Sequence, residues 1–433
     1  MTQLSQALLV ELRDERGDPV VNHVLRFSTE PIDPNQQFFG AYTAYVSRVD
    51  RNEFSNFASD ETDEQGRARV LVRLGTKAGP AVVTVTNPDD GTSVTATFTV
   101  QAGNAVRVLA SPEDTSIYVG RTMTIRSSVV DQFGNPRNDP VTHTVTGNAV
   151  TLSGSTVTGA ALGTATIVTT AGDLVGATAT VTVPPEGVLA AFTPRGLATF
   201  KTDGSDFRVL VPAPLTGITT IWSPSGAEVA FDHSFTGPTR IADLSGGVRT
   251  VTPGNLWSIY PDYSSDGQWI YYTRDGWRLY RVHPDGTGDE ILPMTAPATD
   301  AAPSVAPNGT QLVYVRIGGG DQLWMLDLAT GASTNLNVPG HQPAWSPAGS
   351  LIAYLALNEG NSIKVMNPDG TAARRVSPAG STYSFGGIDW SPDSQWIVAR
   401  NANRNRLEVL NVTTGQTILL GATAGYNGPS WKP

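Results

Sequence analysis

Trp222-Ser-Pro-Ser-Gly226, Tyr263-Ser-Ser-Asp-Gly267, Val305-Ala-Pro-Asn-Gly309, Trp345-Ser-Pro-Ala-Gly349, Trp390-Ser-Pro-Asp-Ser394 and the shortened Trp431-Lys-Pro433 are six copies of one phrase. Their first residues lie 41, 42, 40, 45 and 41 positions apart, a period that suits four-stranded propeller blades and not helical arrays. Each turn runs into a buried strand, as in Gln268-Trp-Ile-Tyr-Tyr-Thr273, Gln311-Leu-Val-Tyr-Val-Arg316, Leu351-Ile-Ala-Tyr-Leu-Ala356 and Gln395-Trp-Ile-Val-Ala-Arg400. Third strands follow, ending in turns such as His283-Pro-Asp-Gly286 and Asn367-Pro-Asp-Gly370, where glycine supplies the positive φ of a tight hairpin.

Five complete intervals start at 222, 263, 305, 345 and 390. Residues 188–211 hold three further strand patterns without an inner strand, and Gly425–Trp431 is an inner strand with nothing after it. Pairing the two closes the ring and leaves no free sheet edge. The expectation is a six-bladed propeller over 187–433, closed by its first and last strands.

All nine Trp fall after residue 220, so the core chemistry changes before the propeller, and Val183-Pro-Pro-Glu-Gly187 reads as the linker. Ahead of it, Asp14-Glu-Arg-Gly17-Asp18-Pro19 and Asp131-Gln-Phe-Gly134-Asn135-Pro136 repeat one turn 117 residues apart. In each, Gly and Asx residues reverse a β-rich stretch. Thr/Val alternation in Thr92–Val100 and Ala177–Val183 fits half-buried sandwich strands. The fold class expected is therefore all-β: one sandwich over 1–102, a second over 103–184, then the propeller. The first carries about 20 extra residues around 31–60, with Phe38, Phe39, Tyr42, Tyr45, Phe54 and Phe57. These rings form either an exposed recognition loop or an extra hairpin that caps the sandwich.

With Thr62-Asp-Glu-Gln-Gly66-Arg-Ala68 leading into a strand, the first module resembles the bacterial immunoglobulin-like domains of the invasin and intimin type, and the second is similar. The Trp-Ser-Pro phrase with its later Pro-Asp-Gly-Thr turn resembles the TolB-type, or WD40-like, propeller repeat. The first resemblance implies extracytoplasmic spacer or adhesion modules. The second implies that the phrase is structural, in a family whose namesake is a periplasmic partner of an outer-membrane lipoprotein. The α/β domain that precedes that propeller is replaced here by the sandwiches.

The chain has no cysteine and a net charge of −10, which excludes disulfides and thiolate chemistry and disfavours nucleic acid or anionic membrane as partners. No apolar run reaches 18 residues, so no transmembrane helix is expected. Met1–Val10 runs at once into Glu11-Leu-Arg-Asp-Glu-Arg16 and lacks the parts of a signal peptide. An extracytoplasmic location, in the periplasm or at the cell surface, thus assumes a secretion signal outside this sequence; without one the expectation is cytoplasmic.

No Gly-x-Ser-x-Gly elbow and no His-Glu-x-x-His occur, and His23, His143, His233, His283 and His341 stand alone. No cofactor, metal or catalytic residue is expected. Calcium in a propeller tunnel needs six to eight oxygens, and the positions at the starts of the inner strands offer one Asp and one Asn. Those positions, with Trp257, Asp300, His341, Phe385 and Tyr426, read instead as a binding mouth for a peptide or protein segment, or as side chains packed between loops. The function expected is a non-catalytic scaffold that docks a membrane- or envelope-associated protein. A carbohydrate-binding adhesin, with a glycan as partner, and a calcium-dependent propeller hydrolase are the alternatives.

Overall fold

The computed structural model describes residues 2–32, 42–233, 235–274, 276–294 and 298–433. Phe38 and Phe39 lie outside the described residues. The chain forms two compact units, one of Met1–Ser111, Arg126–His143 and Val168–Thr178, the other of Pro112–Ile125, Thr144–Ile167 and Ala179–Pro433. Residues of the second module contribute to both.

In the first unit, Val24–Thr29 alternates exposed and buried residues, the pattern of a strand with one wet face. It pairs with Phe57–Glu61 and Gly79–Thr86, and Ser93–Val100 completes the sheet. A second sheet orders Leu8–Glu11, Arg67–Leu74 and Ala44–Arg48. Leu25, Phe27, Val46, Val70, Val72 and Val83 share one core between them. The extra residues of this module supply an edge strand to each sheet, Ala44–Arg48 to one and Phe57–Glu61 to the other.

The two Asx turns are built alike. Asp14 Oδ1 accepts the N–H groups of Arg16 and Asp18, each at 2.9 Å. Asp131 Oδ1 accepts those of Phe133 and Asn135 at 2.8 and 3.0 Å. The second turn also ties down its surroundings: Gly103 N–H donates to Asp131 Oδ2 at 2.8 Å, Asn135 Nδ2 donates to the Thr76 carbonyl at 2.7 Å, and Ala78 N–H donates to Asn135 Oδ1 at 2.8 Å. Burial alone would raise the Asp131 pKa, but the bonds from Asn135, Gly103 and Phe133 outweigh it and hold the carboxyl well below the usual range.

In the second unit the repeats form six four-stranded antiparallel sheets. Their inner strands are Thr220–Trp222, Ser258–Tyr263, Asp300–Val305, His341–Trp345, Tyr383–Trp390 and Asn427–Trp431. The last of these pairs with Val188–Thr193, Leu189 opposite Trp431 and Ala190 opposite Ser430. Successive inner strands contact one another, and the sixth contacts the first. The second strands fill the space between sheets: Tyr272, Tyr314 and Tyr354 are fully buried.

The phrase sits where each inner strand turns into the second. Its Ser hydroxyl accepts a backbone N–H five residues on, from Trp269 to Ser264 and from Trp396 to Ser391, each at 2.9 Å. Ser264 in turn donates to Asp266. The fifth position needs positive φ: +65° to +71° at Gly226, Gly267, Gly309 and Gly349, which glycine adopts without steric cost. Ser394 takes +58° there, and its hydroxyl is occupied by Ala348 N–H at 3.0 Å.

Truncation after Gly425 strips Val188–Thr193 of one sheet partner and exposes an unpaired edge. The shortened chain is expected to melt at least about 10 °C lower by calorimetry; an unchanged transition would show that the last strand does not close the ring.

Candidate functional site

A cavity of about 330 Å³ lies within the ring, lined by inner-strand residues from Thr219–Trp222, Tyr260–Tyr263, Ala302–Val305, Gln342–Trp345, Gly387–Asp389 and Pro429. Each inner strand is the terminal strand of its sheet, so one of its edges has no sheet neighbour. The sequence deals with that edge in two ways.

Counted back from the first residue of each phrase, the second position back is proline in four strands, Pro261, Pro303, Pro343 and Pro429. Proline has no N–H to leave unpaired and is at home on an edge. The third position back has positive φ in five strands: Tyr260 (55°), Ala302 (50°), Gln342 (48°), Gly387 (98°) and Gly428 (57°). There the pairing register slips, as between Ile259 and Asp262 or Ala301 and Ser304. This is a repeated β-bulge, which re-aims the side chains that follow.

The residue directly before the phrase then reaches the neighbouring sheet. Asp262 Oδ2 accepts Val305 N–H at 2.7 Å, Ser304 Oγ accepts Trp345 N–H at 3.1 Å, and Asp389 Oδ2 accepts Trp431 N–H at 2.7 Å. Ala344 has no polar side chain, and its carbonyl accepts Trp390 Nε1–H at 3.0 Å. Ser430 and Thr220 share a hydroxyl–hydroxyl bond of 2.9 Å. At the remaining junction Thr239 N–H donates to Ser258 Oγ at 2.6 Å. Each of the six junctions is thus stitched by a polar bond.

Two of these stitches are carboxyls that keep some surface open to the cavity. Burial pushes Asp262 up to about 6, against the bonds from Val305 and Ser304. Burial, with the charge of Asp262 added, pushes Asp389 up to about 7. No Lys, Arg or His is among the residues that line the cavity. Three lining residues carry buried polar atoms without a hydrogen-bond partner: Trp222 Nε1, Tyr263 Oη and Trp345 Nε1.

The residues expected at the mouth separate into three environments. Trp257 joins Trp277 and Phe235 in an edge-to-face group with centroids 5.4 to 5.8 Å apart, and it packs on the cluster that holds Tyr260. His341 lies 6.3 Å from Tyr260 and 5.1 Å from Phe385, and burial holds its pKa below the usual histidine range. Phe235 and Phe385 remain 46% and 44% exposed, so this face presents aromatic surface. Asp300 does not join it: the side chain is fully buried and paired with Arg316 at 2.8 Å. Tyr426 packs instead on Phe200 and Phe207, at 5.2 and 6.5 Å.

In the first unit the described rings also part company. Tyr45 is 3% exposed and meets Tyr42 edge-on at 6.1 Å. Phe54 lies under the Arg73 guanidinium at 3.9 Å, and Phe57 is exposed. Among the described residues no three His, Asp or Glu side chains are grouped to hold a metal ion.

Sequence reading looked for recognition four and five residues before the phrase, whereas the cavity wall is built from the phrase itself and the three residues before it. Aligning the six copies would have exposed the run Ile221, Asp262, Ser304, Ala344, Asp389, Ser430. Two acids in that column are the signal that was available.

Asp262 and Asp389 have folded pKa values above that of an unfolded Asp. The stability they contribute is complete below pH of about 4 and is lost as pH rises through about 6 to 7. The propeller transition should therefore melt roughly 5 °C higher at about pH 5 than at about pH 8. Asp389→Asn should flatten this slope; an unaltered slope in the variant would contradict the assignment.

No family model matches the chain. It is 30% identical over 162 residues to "Uncharacterized protein Atu1656" of Agrobacterium fabrum, covering 31% of this chain and 53% of that protein. It is 28% identical over 124 residues to "Uncharacterized peptidase YuxL" of Bacillus subtilis, covering 26% and 18%. The chain thus spans about half of the first relative and under a fifth of the second. Among solved structures, TolB from Acinetobacter baumannii superimposes with a TM-score of 0.50 at 16% identity, over 67% of this chain and 83% of that one. The likeness is one of fold, and that fold is the β-propeller.

Proposed function

We propose that this chain is a non-catalytic, extracytoplasmic interaction protein. In this reading its first 184 residues form two immunoglobulin-like sandwiches that act as a docking arm. The following ring is a six-bladed TolB-like propeller that presents a rigid platform to a protein partner in an envelope or membrane-bound complex. The observation that carries it is the aromatic face of the propeller: Phe235 and Phe385 stand exposed beside Trp257, Trp277 and His341. Large rings held in place by their neighbours offer contact area at little entropic cost, which is why they dominate protein interfaces.

Affinity capture from envelope extracts tests the reading, with Phe235→Ser and Phe385→Ser combined in one variant. Both side chains are about half exposed, so their loss leaves the core intact. The variant is expected to retain its melting temperature and to lose a captured partner by about tenfold or more, the effect of one or two hot-spot residues. Undiminished capture would remove the platform from this face. Selective capture by a glycan array, with no protein partner, would favour the carbohydrate-binding alternative.

A further inference from the structure

Arg316 and Arg400 hold the same place in their repeats, five residues after Gln311 and Gln395, but they are partnered differently. In the third sheet Arg316 stands opposite Asp300, and its Nε donates to Asp300 Oδ1 at 2.8 Å. In the fifth sheet a serine takes the acid's place. Arg400 Nη1 donates to Ser384 Oγ at 3.0 Å, and its Nη2 donates to Asn405 Oδ1 at 2.7 Å. A hydroxyl and an amide satisfy donors but leave the guanidinium charge without a counter-ion. Glu408 does not supply one: it is buried and accepts from Asn401 Nδ2 at 2.9 Å and from Tyr383 Oη. Asn401 follows Arg400 along the strand, so its side chain and Glu408 lie on the other face of the sheet.

Arg400 has company. Arg404 is exposed in the hairpin that follows it, and Arg195 is exposed in the corresponding hairpin of the sixth sheet. No described Asp or Glu pairs with any of the three. Segments 193–196, 377–387, 401–406 and 421–427, which form this end of the two sheets, contain no acid at all. Side-chain and backbone bonds hold them together: Thr382 N–H donates to Asn403 Oδ1 at 2.7 Å, and Gly425 N–H to the Asn405 carbonyl at 3.0 Å. At the same end of other sheets the acids are engaged, Asp300 by Arg316, Glu359 by Lys364 and Asp321 by the Gly318 N–H. In a chain of net charge −10, this corner is a local patch of the opposite sign. Phe385 follows Ser384 directly, 44% exposed and edge-on to His341 at 5.1 Å. The cations therefore border the aromatic face.

We propose that this side of the aromatic face takes an acidic segment of the protein partner, with a carboxylate on Arg400 and Arg404 and an adjacent apolar side chain on Phe385. The inference rests on the docking reading above and names the chemistry of the partner. The third sheet is its template: there the same arginine position holds the Asp300 carboxylate, and in the fifth sheet the partner supplies the group that Ser384 lacks. A guanidinium offers a carboxylate several donors in one plane. Charges at the edge of an apolar contact select the partner and speed its approach. Nucleic acid and anionic bilayers suit the patch less well, because the rest of the chain is acidic and repels both.

An array of N-acetylated decapeptides tests it on the full chain, each peptide with Asp or Glu printed beside its Asn or Gln counterpart. The wild type is expected to select peptides whose acids neighbour Phe, Leu or Ile, and to bind them about tenfold more tightly than the amide counterparts at about 0.05 M salt. The difference should shrink at about 0.5 M. Arg400→Gln combined with Arg404→Gln should lose the preference. Ser384→Asp should lose it as well, because it restores in the fifth sheet the pair that the third already has. That variant gives Arg400 a partner and removes none, so it keeps the test decisive should the arginine variant not fold. Equal binding of acidic and amide peptides, a preference that survives Ser384→Asp, no peptide bound, or binding to phosphatidylglycerol vesicles or duplex DNA in place of peptides would overturn the proposal. Phe235→Ser with Phe385→Ser tells the two failures apart. If peptides bind without regard to charge and this variant weakens them, the docking face stands and the acidic partner falls; if the variant binds as the wild type does, the docking face itself is lost.

Discussion

A ring of sheets must settle what happens at the inner edge of each one, where backbone N–H groups have no further strand to pair with. The structure answers at every junction. Proline removes a donor at Pro261, Pro303, Pro343 and Pro429, and a polar bond crosses each junction: Asp262, Ser304 and Asp389 take the N–H groups of Val305, Trp345 and Trp431, Ser258 takes that of Thr239, the Ala344 carbonyl takes the Trp390 indole N–H, and Ser430 meets the Thr220 hydroxyl. An unmade bond at such a site costs more than a made one gains, so the stitches explain both the composition of the inner strands and the closeness with which successive sheets pack. Closure itself is by strand pairing: Asn427–Trp431 lies against Val188–Thr193, with Leu189 opposite Trp431, 242 positions further along the chain.

The acids that close the ring also give the tunnel its chemistry. A serine would stitch as well, and Ser304 and Ser430 do so. Asp at the second and fifth positions adds charge to a cavity without a basic lining residue, and burial then shifts both groups toward neutrality. The tunnel thus carries an electrostatic cost at neutral pH that its structural role alone does not demand. On the opposite ledger of the ring, at the strand starts, aromatic side chains and not charges dominate, because Asp300 is neutralised by Arg316.

Much of the ring was legible because the phrase states it directly: Ser and Asp hold the turn, and Gly takes the positive φ. The pairing of residues 188–193 with the last strand followed from counting strands. The Asp300–Arg316 pair was missed: Asp300 read as a mouth residue, whereas it stands opposite Arg316 in the hairpin and is buried against it. What the sequence hid was the bulge. Positive φ at Tyr260, Ala302 and Gln342 is imposed by the ring on residues that do not prefer it, and no local pattern announces it. Because the bulge shifts the alternation of side chains, the wall of the tunnel falls on residues adjacent to the phrase and not on the strand starts. In the first module, the aromatic-rich segment read either as an exposed loop or as an extra hairpin; its described part supplies an edge strand to each sheet, which buries Tyr45 and leaves Phe57 outside.

Amide hydrogen exchange at Val305, Trp345 and Trp431 tests the central claim most directly. These N–H groups are taken up by side chains of the preceding sheet, so they should exchange as slowly as sheet-paired amides of the same strands and open only when the ring does. Fast exchange at these three positions, with the neighbouring amides protected, would show free inner edges and contradict the account.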